Sequence, residues 1–114
     1  MLESNLYTAL APLVGNRVFP DVAPSGTIVP FITYQQVGGK AVNFIGAEYS
    51  DKKNARVQIN VWSASRLQAS LIIRSIENAM VVAPLYGSIE GGAISSHEPE
   101  LKLYGAMQQF SFWS

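Results

Sequence analysis

The chain has 114 residues, a length that supports one hydrophobic core and not two. Apolar residues make up 48% and charged residues 14%, against about 25% charge in an average soluble domain, so part of an uncharged surface is expected to meet another protein. Eight Lys plus Arg balance eight Asp plus Glu, which removes the field that draws in a polyanion and sets nucleic acid aside as a primary partner. The absence of cysteine excludes a disulfide framework, a thiolate nucleophile and a Cys-ligated zinc. No apolar run approaches the roughly 20 residues that cross a bilayer. The opening Met1-Leu2-Glu3-Ser4-Asn5 lacks the basic and apolar regions of an export signal, so a soluble protein without membrane partners is expected.

Leu2, Leu6, Leu10 and Leu13, flanked by Tyr7 and Val14, repeat at three- and four-residue spacing and predict a helix over residues 3–11. Pro12 and Gly15 stop it, the first by removing a donor and the second by accepting left-handed geometry. Arg17-Val18-Phe19 is a brief extended piece, and Asp21 to Pro30, with Pro24 and Gly26, is a surface loop. Phe31 to Val37 is rich in β-branched and aromatic residues between Pro30 and Gly38-Gly39, which marks a strand. Gly38 to Asn54 follows as a long hairpin arm.

From Ala55 to Ser63 the residues Ala55, Val57, Ile59 and Val61 alternate with Arg56, Gln58, Asn60 and Trp62, a strand with one apolar face. Ser63 and Ser65 are candidate N-caps for the next helix. Its stripe is expected to comprise Ala69, Ile72, Ile76, Ala79, Met80 and Ala83, widened by Leu67 and Leu71, with Pro84 ending the pattern. Ile89, Gly91-Gly92 and Ile94 predict a weaker strand with a bulge at the glycines. His97-Glu98-Pro99-Glu100 has the composition of a turn. Leu103 to Trp113 is the last strand, with Phe110 and Phe112 on one face and Met107 and Trp113 on the other, which predicts burial on both sides. The result is an α+β fold: one domain over residues 1–114, with an antiparallel or mixed sheet of four to five strands packed against two helices.

His97 is the only histidine, so neither a multi-histidine metal site nor a second imidazole can be assembled. Glu98 and Glu100 flank it without a nucleophile nearby. The glycine pairs lack the Lys-Ser/Thr and strand-to-helix context of a phosphate loop. No catalytic residue, cofactor or metal site is assigned, and no enzyme is expected. Lys52, Lys53 and Arg56 lie near Tyr49, yet Glu48 and Asp51 share the stretch, which favours a solvated arm or a polar protein contact over nucleic acid. Phe44, Tyr49, Lys52, Lys53 and Trp113 are the candidate subunit or tube contacts, with either the arm Gly38 to Asn54 or the loop Asp21 to Pro30 expected to make such contacts.

Five segments together carry a resemblance: Leu6 to Leu10 leading into Leu13 to Pro20; Pro30 to Tyr34; Ala55 to Ser63 running into a helix; Glu98 to Gly105; and the closing Phe112-Trp113. In this order the chain resembles the small tail completion, or tail-to-head joining, proteins of long-tailed phages and prophages. That resemblance implies a fold similar to lambda-type tail terminators and a homo-oligomeric ring, expected to be a hexamer, on the head-proximal end of the tail tube. It implies as partners the chain itself, the tail tube protein and head-tail connector proteins, with DNA only passing through the ring. The expected location is the host cytoplasm during assembly and then the virion tail. A head-side connector or stopper subunit, and a small ligand-binding α+β domain, are the competing readings.

Overall fold

The computed structural model describes residues 2–39 and 53–113. Helix α1 spans Leu2–Leu10 and tightens into a 3-10 turn, Ala11–Leu13; strand β1 is Val18–Pro20, β2 is Phe31–Gln36 and β3 is Asn54–Ser63. Helix α2 is Arg66–Met80, followed by β4, Ser88–Glu98, and β5, Leu103–Trp113. The five strands form one mixed sheet in the order β1-β2-β3-β5-β4, parallel between β1 and β2 and antiparallel elsewhere. This is the expected α+β architecture. The arm expected over Gly38 to Asn54 falls largely on residues outside the described ones.

Alternation along β3 determines the core. Ala55, Val57, Ile59, Val61 and Ser63 are buried and point to one side, and the register sets Phe112, Phe110, Gln108 and Ala106 of β5 beside the first four. Both helices cover this side, α1 with Leu6 and Leu10 and α2 with Ala69, Ile73, Ile76 and Met80. Spacings of 4, 3 and 4 along α2 keep these four residues on one face.

Helix α2 begins where the serines indicate. Ser65 Oγ accepts from Gln68 N at 3.1 Å, while the buried Ser63 hydroxyl donates to Gln68 Oε1 at 2.6 Å and accepts from Ser65 N at 3.1 Å. The helix ends at Met80, four residues before Pro84. There the chain turns over Val82–Tyr86, drops Leu85 into the core, and returns Gly87 N to Met80 O at 2.7 Å, which satisfies a terminal carbonyl. Ala83 is therefore exposed in the turn and adds nothing to the helical stripe. Gly87 has no room for a side chain, because a Cβ there would lie 2.5 Å from the Phe112 ring.

Two further expectations change. Leu67 and Leu71 do not widen the buried stripe; they are 70% and 54% exposed, since each lies two positions from the buried set and so nearly opposite the core. His97 and Glu98 belong to β4, and the turn is Pro99 to Lys102, with Lys102 at φ 55°. His97 pairs with Tyr104 across the ladder, and their rings stack at 4.5 Å, which extends the strand past the histidine.

The bulge in β4 lies at the glycines. Between Glu90↔Gln109 and Ile94↔Met107 the chain takes four steps on β4 against two on β5, leaving two extra residues. An even number restores the alternation of faces, so Glu90 and Ile94 share a side. On the core side at this point, the buried Gln108 donates from Nε2 to Glu77 Oε2 at 3.3 Å and accepts on Oε1 from Gln109 N at 2.9 Å. A buried amide needs both partners.

Candidate assembly surfaces

The second face of the sheet is left open: both helices pack on the core side, and no described element covers the other. Across it the register aligns Phe31, Trp62, Gly105 and Ser96 in one row, and Phe19, Thr33, Asn60, Met107 and Ile94 in the next. A third row is Gln35, Gln58, Gln109 and Glu90. Met107 is half-buried and Trp113 is 49% exposed, so the expected burial of β5 on both sides is corrected: among the described residues only the Phe110 and Phe112 side is enclosed. Charged residues on this face are few: Arg56 and Glu90 nearer its centre and Glu98 at its rim. Arg56 meets Glu90 at 3.4 Å in an exposed pair worth about 0–1 kcal/mol, which neutralises the two charges nearest the centre.

Trp62 gives the face its relief. Its indole lies over Gly105, where an added Cβ would stand 2.8 Å from Cζ3 and 2.7 Å from Ser96 Oγ. Beside it, loop 21–30 and the turn Pro99 to Lys102 rise as two walls of a groove of about 440 Å³, floored by Phe31, Thr33 and Trp62. The loop is anchored where it returns to the sheet: Arg17 Nε donates to Pro30 O at 2.9 Å, Ile32 N to Arg17 O at 2.9 Å and Asp21 N to Tyr34 O at 2.8 Å. Its apolar side chains remain in solvent, with Val22 77% and Ile28 71% exposed, as is Leu101 of the opposite wall at 69%. Asp21 is the one charged residue lining the groove.

A second apolar surface lies on the helical side. Leu67 and Leu71 stand on the outer stripe of α2 in line with the exposed Arg74 and Asn78, and Val82 and Tyr86 are exposed beyond the helix end. Exposed large apolar residues are thus concentrated on opposite layers of the molecule.

Of the sequence-predicted contacts, Lys53 and Trp113 are described, while Phe44, Tyr49 and Lys52 lie outside the described residues. Asn54 pairs with Trp113 in the ladder, so Lys53 and Trp113 come to the same end of the sheet. They occupy different faces there: Trp113 is on the open side, and Lys53 lines a shallow cavity with Leu2, Glu3 and Tyr34 beside α1. In that cavity burial pushes the Tyr34 phenol above its ordinary value of 10.0, and the Glu3 charge and hydrogen bond, with Asp21 further off, push the same way. The Tyr34 hydroxyl donates to Glu3 Oε1 at 3.4 Å.

Among the described residues no three His, Cys, Asp or Glu side chains come together to hold a metal, and no helix is long and apolar enough to cross a membrane. Of the two walls of the groove, the loop Asp21 to Pro30 is a sequence candidate for contact, and the turn Pro99 to Lys102 opposite it is not. Val22 and Leu101, apolar residues in turn-rich segments, are its local signal.

The chain is a two-layer α+β fold with a weakly charged sheet face that no described element covers and a second exposed apolar surface. The family described as tail completion protein gp17 matches residues 5–114, and the chain belongs to that family. It is a structural component of a phage-type tail. Among solved structures, a chain of the virion of a native gene transfer agent particle has a similar fold, with a TM-score of 0.60 at 19% identity, covering 98% of this chain and 92% of that one. No curated protein matches the chain in sequence.

Proposed function

We propose that the chain acts as one domain that closes into a ring, a hexamer when assembled, at the head-proximal end of a long tail. There it stops polymerisation of the tail tube and joins the tail to the head connector. The observation that carries this reading is the open sheet face: five strands whose second side is weakly charged and uncovered among the described residues, in a chain of the tail completion family. A subunit repeated around a ring needs apolar surface on two different sides, and the groove face and the outer stripe of α2 supply both. The virion setting of the structural neighbour agrees with a particle component that meets tail and head proteins after assembly in the host cytoplasm. Lys53 and Trp113, with Phe44, Tyr49 and Lys52, are proposed subunit or tube contacts. The chain works through these contacts and not through catalysis, with DNA only passing through the ring.

The test is tube growth followed by light scattering, using the tube protein of the same phage with and without substoichiometric amounts of this chain. Growth arrested at a defined length supports the reading. Unchanged growth together with binding to isolated head connectors would move the chain to the head side.

A further inference from the structure

The proposed ring leaves open which surfaces of the subunit meet, and here the two exposed apolar surfaces differ in both shape and charge. One is concave: the groove between loop 21–30 and turn Pro99 to Lys102, floored by Trp62 and Phe31. The other is convex: Leu67 and Leu71, one helical turn apart on the outer stripe of α2. A pair of leucines at this spacing forms a ridge that fits a groove better than a flat sheet. The groove lies on the open side of the sheet and the ridge on the far side of the helical layer, so one subunit cannot join its own two surfaces.

The charges match in the same sense. Asp21 lines the groove, and Glu98 and Glu100 stand by its second wall against Lys102. The ridge runs into the exposed Arg74 at its C-terminal end, whereas Arg66 lies on the core-side stripe with Ala69 and Ile73 and sets its guanidinium over the Tyr104 ring at 5.9 Å. The only ion pair among the described residues is Arg56 with Glu90, which leaves Asp21 and Arg74 without an ion-pair partner there. Pairing two grooves sets Asp21 against Asp21 and pairing two ridges sets Arg74 against Arg74, whereas groove against ridge brings the opposite charges together and is favoured. Because the chain has zero net charge, repeating the contact accumulates no charge.

We propose that the occupant of the groove is a second copy of this chain, seating the Leu67–Leu71 ridge of its α2 against Trp62 with Arg74 toward Asp21. The contact is heterologous, leaves one free groove and one free ridge on every partial assembly, and closes when the rotation per copy completes a ring. It rests on the ring reading above and specifies the surfaces of that ring.

The chain's lack of cysteine makes the test direct. Leu71→Cys and Val22→Cys are prepared singly and together, then oxidised at high protein concentration, alone and with tail tubes of the same phage, and imaged in parallel. Both positions are at least half exposed, so the variants are expected to fold, which thermal melting verifies. The expected result is a mixed disulfide dimer from the two single variants combined, little self-linking of either alone, and a ladder of covalent multimers from the double variant. In the reciprocal charge test, Asp21→Lys and Arg74→Glu each weaken assembly severalfold and together recover it. Rings or caps that form without the ladder would overturn these surfaces and leave the ring reading standing. Self-linking of Leu71→Cys alone would overturn the heterologous contact in favour of a symmetric one. Neither ladder nor rings, with folded variants, would defeat both.

Discussion

The two faces of the one sheet differ more than any two elements of the molecule. On β3 and β5 the core side is packed so tightly that Ile59, Val61, Phe110 and Phe112 are at most 1% exposed; one residue away along the same strands, Arg56, Met107 and Trp113 are exposed or half-exposed. Strand alternation makes this possible, because neighbouring side chains serve different layers. One face builds the core, and the other is the face to which the proposed assembly contacts are assigned.

Substitutions that separate stability from assembly sharpen that comparison. The largest expected effect is Phe110→Ala, which opens a cavity under α2 and costs about 3–5 kcal/mol, enough to lower the melting temperature by at least about 12 °C. Gly105→Val comes next: its side chain collides with Trp62 and Ser96, and overpacking of this kind costs about 1–3 kcal/mol, measured by urea denaturation. Ser65→Ala removes the α2 cap for about 1 kcal/mol, and Ser65→Asp retains most of it. Leu101→Gln, in the groove and 69% exposed, changes stability by no more than about 0.5 kcal/mol and instead weakens ring assembly, read by sedimentation.

The smallest effect appears only at alkaline pH. Burial and Glu3 raise the Tyr34 phenol above 10.0, so the folded state holds that proton more tightly than the unfolded state does. The resulting stabilisation is complete below pH 10 and is lost as pH rises through the folded-state value. Tyr34→Phe should flatten the fall in melting temperature above pH 10 and leave the neutral value nearly unchanged.

Local chemistry made much of the fold legible. Alternation located β3 and β5, serine caps located the start of α2, and paired glycines located the bulge in β4. Signals that depend on partners distant in sequence were not legible. The parallel pairing of Val18 with Ile32 and the insertion of β5 between β3 and β4 depend on tertiary contacts. Leu67 and Leu71 look like core residues because hydrophobicity alone does not say which side of a helix is covered. The composition of His97 and Glu98 indicates a turn, but Tyr104 across the ladder holds them in a strand. For the candidate site, Trp113 was readable as a strand-end aromatic, whereas the groove joins residues near 22 to residues near 101, a pairing with no local signature.

The most direct test of the central claim, that the open face serves assembly, is negative-stain electron microscopy of the purified protein mixed with tail tubes of its own phage. The account predicts rings, or caps confined to one tube end, that disappear with Leu101→Gln while that variant melts within a degree or two of the parent chain. Bare tubes growing unchanged beside the folded parent chain would contradict it.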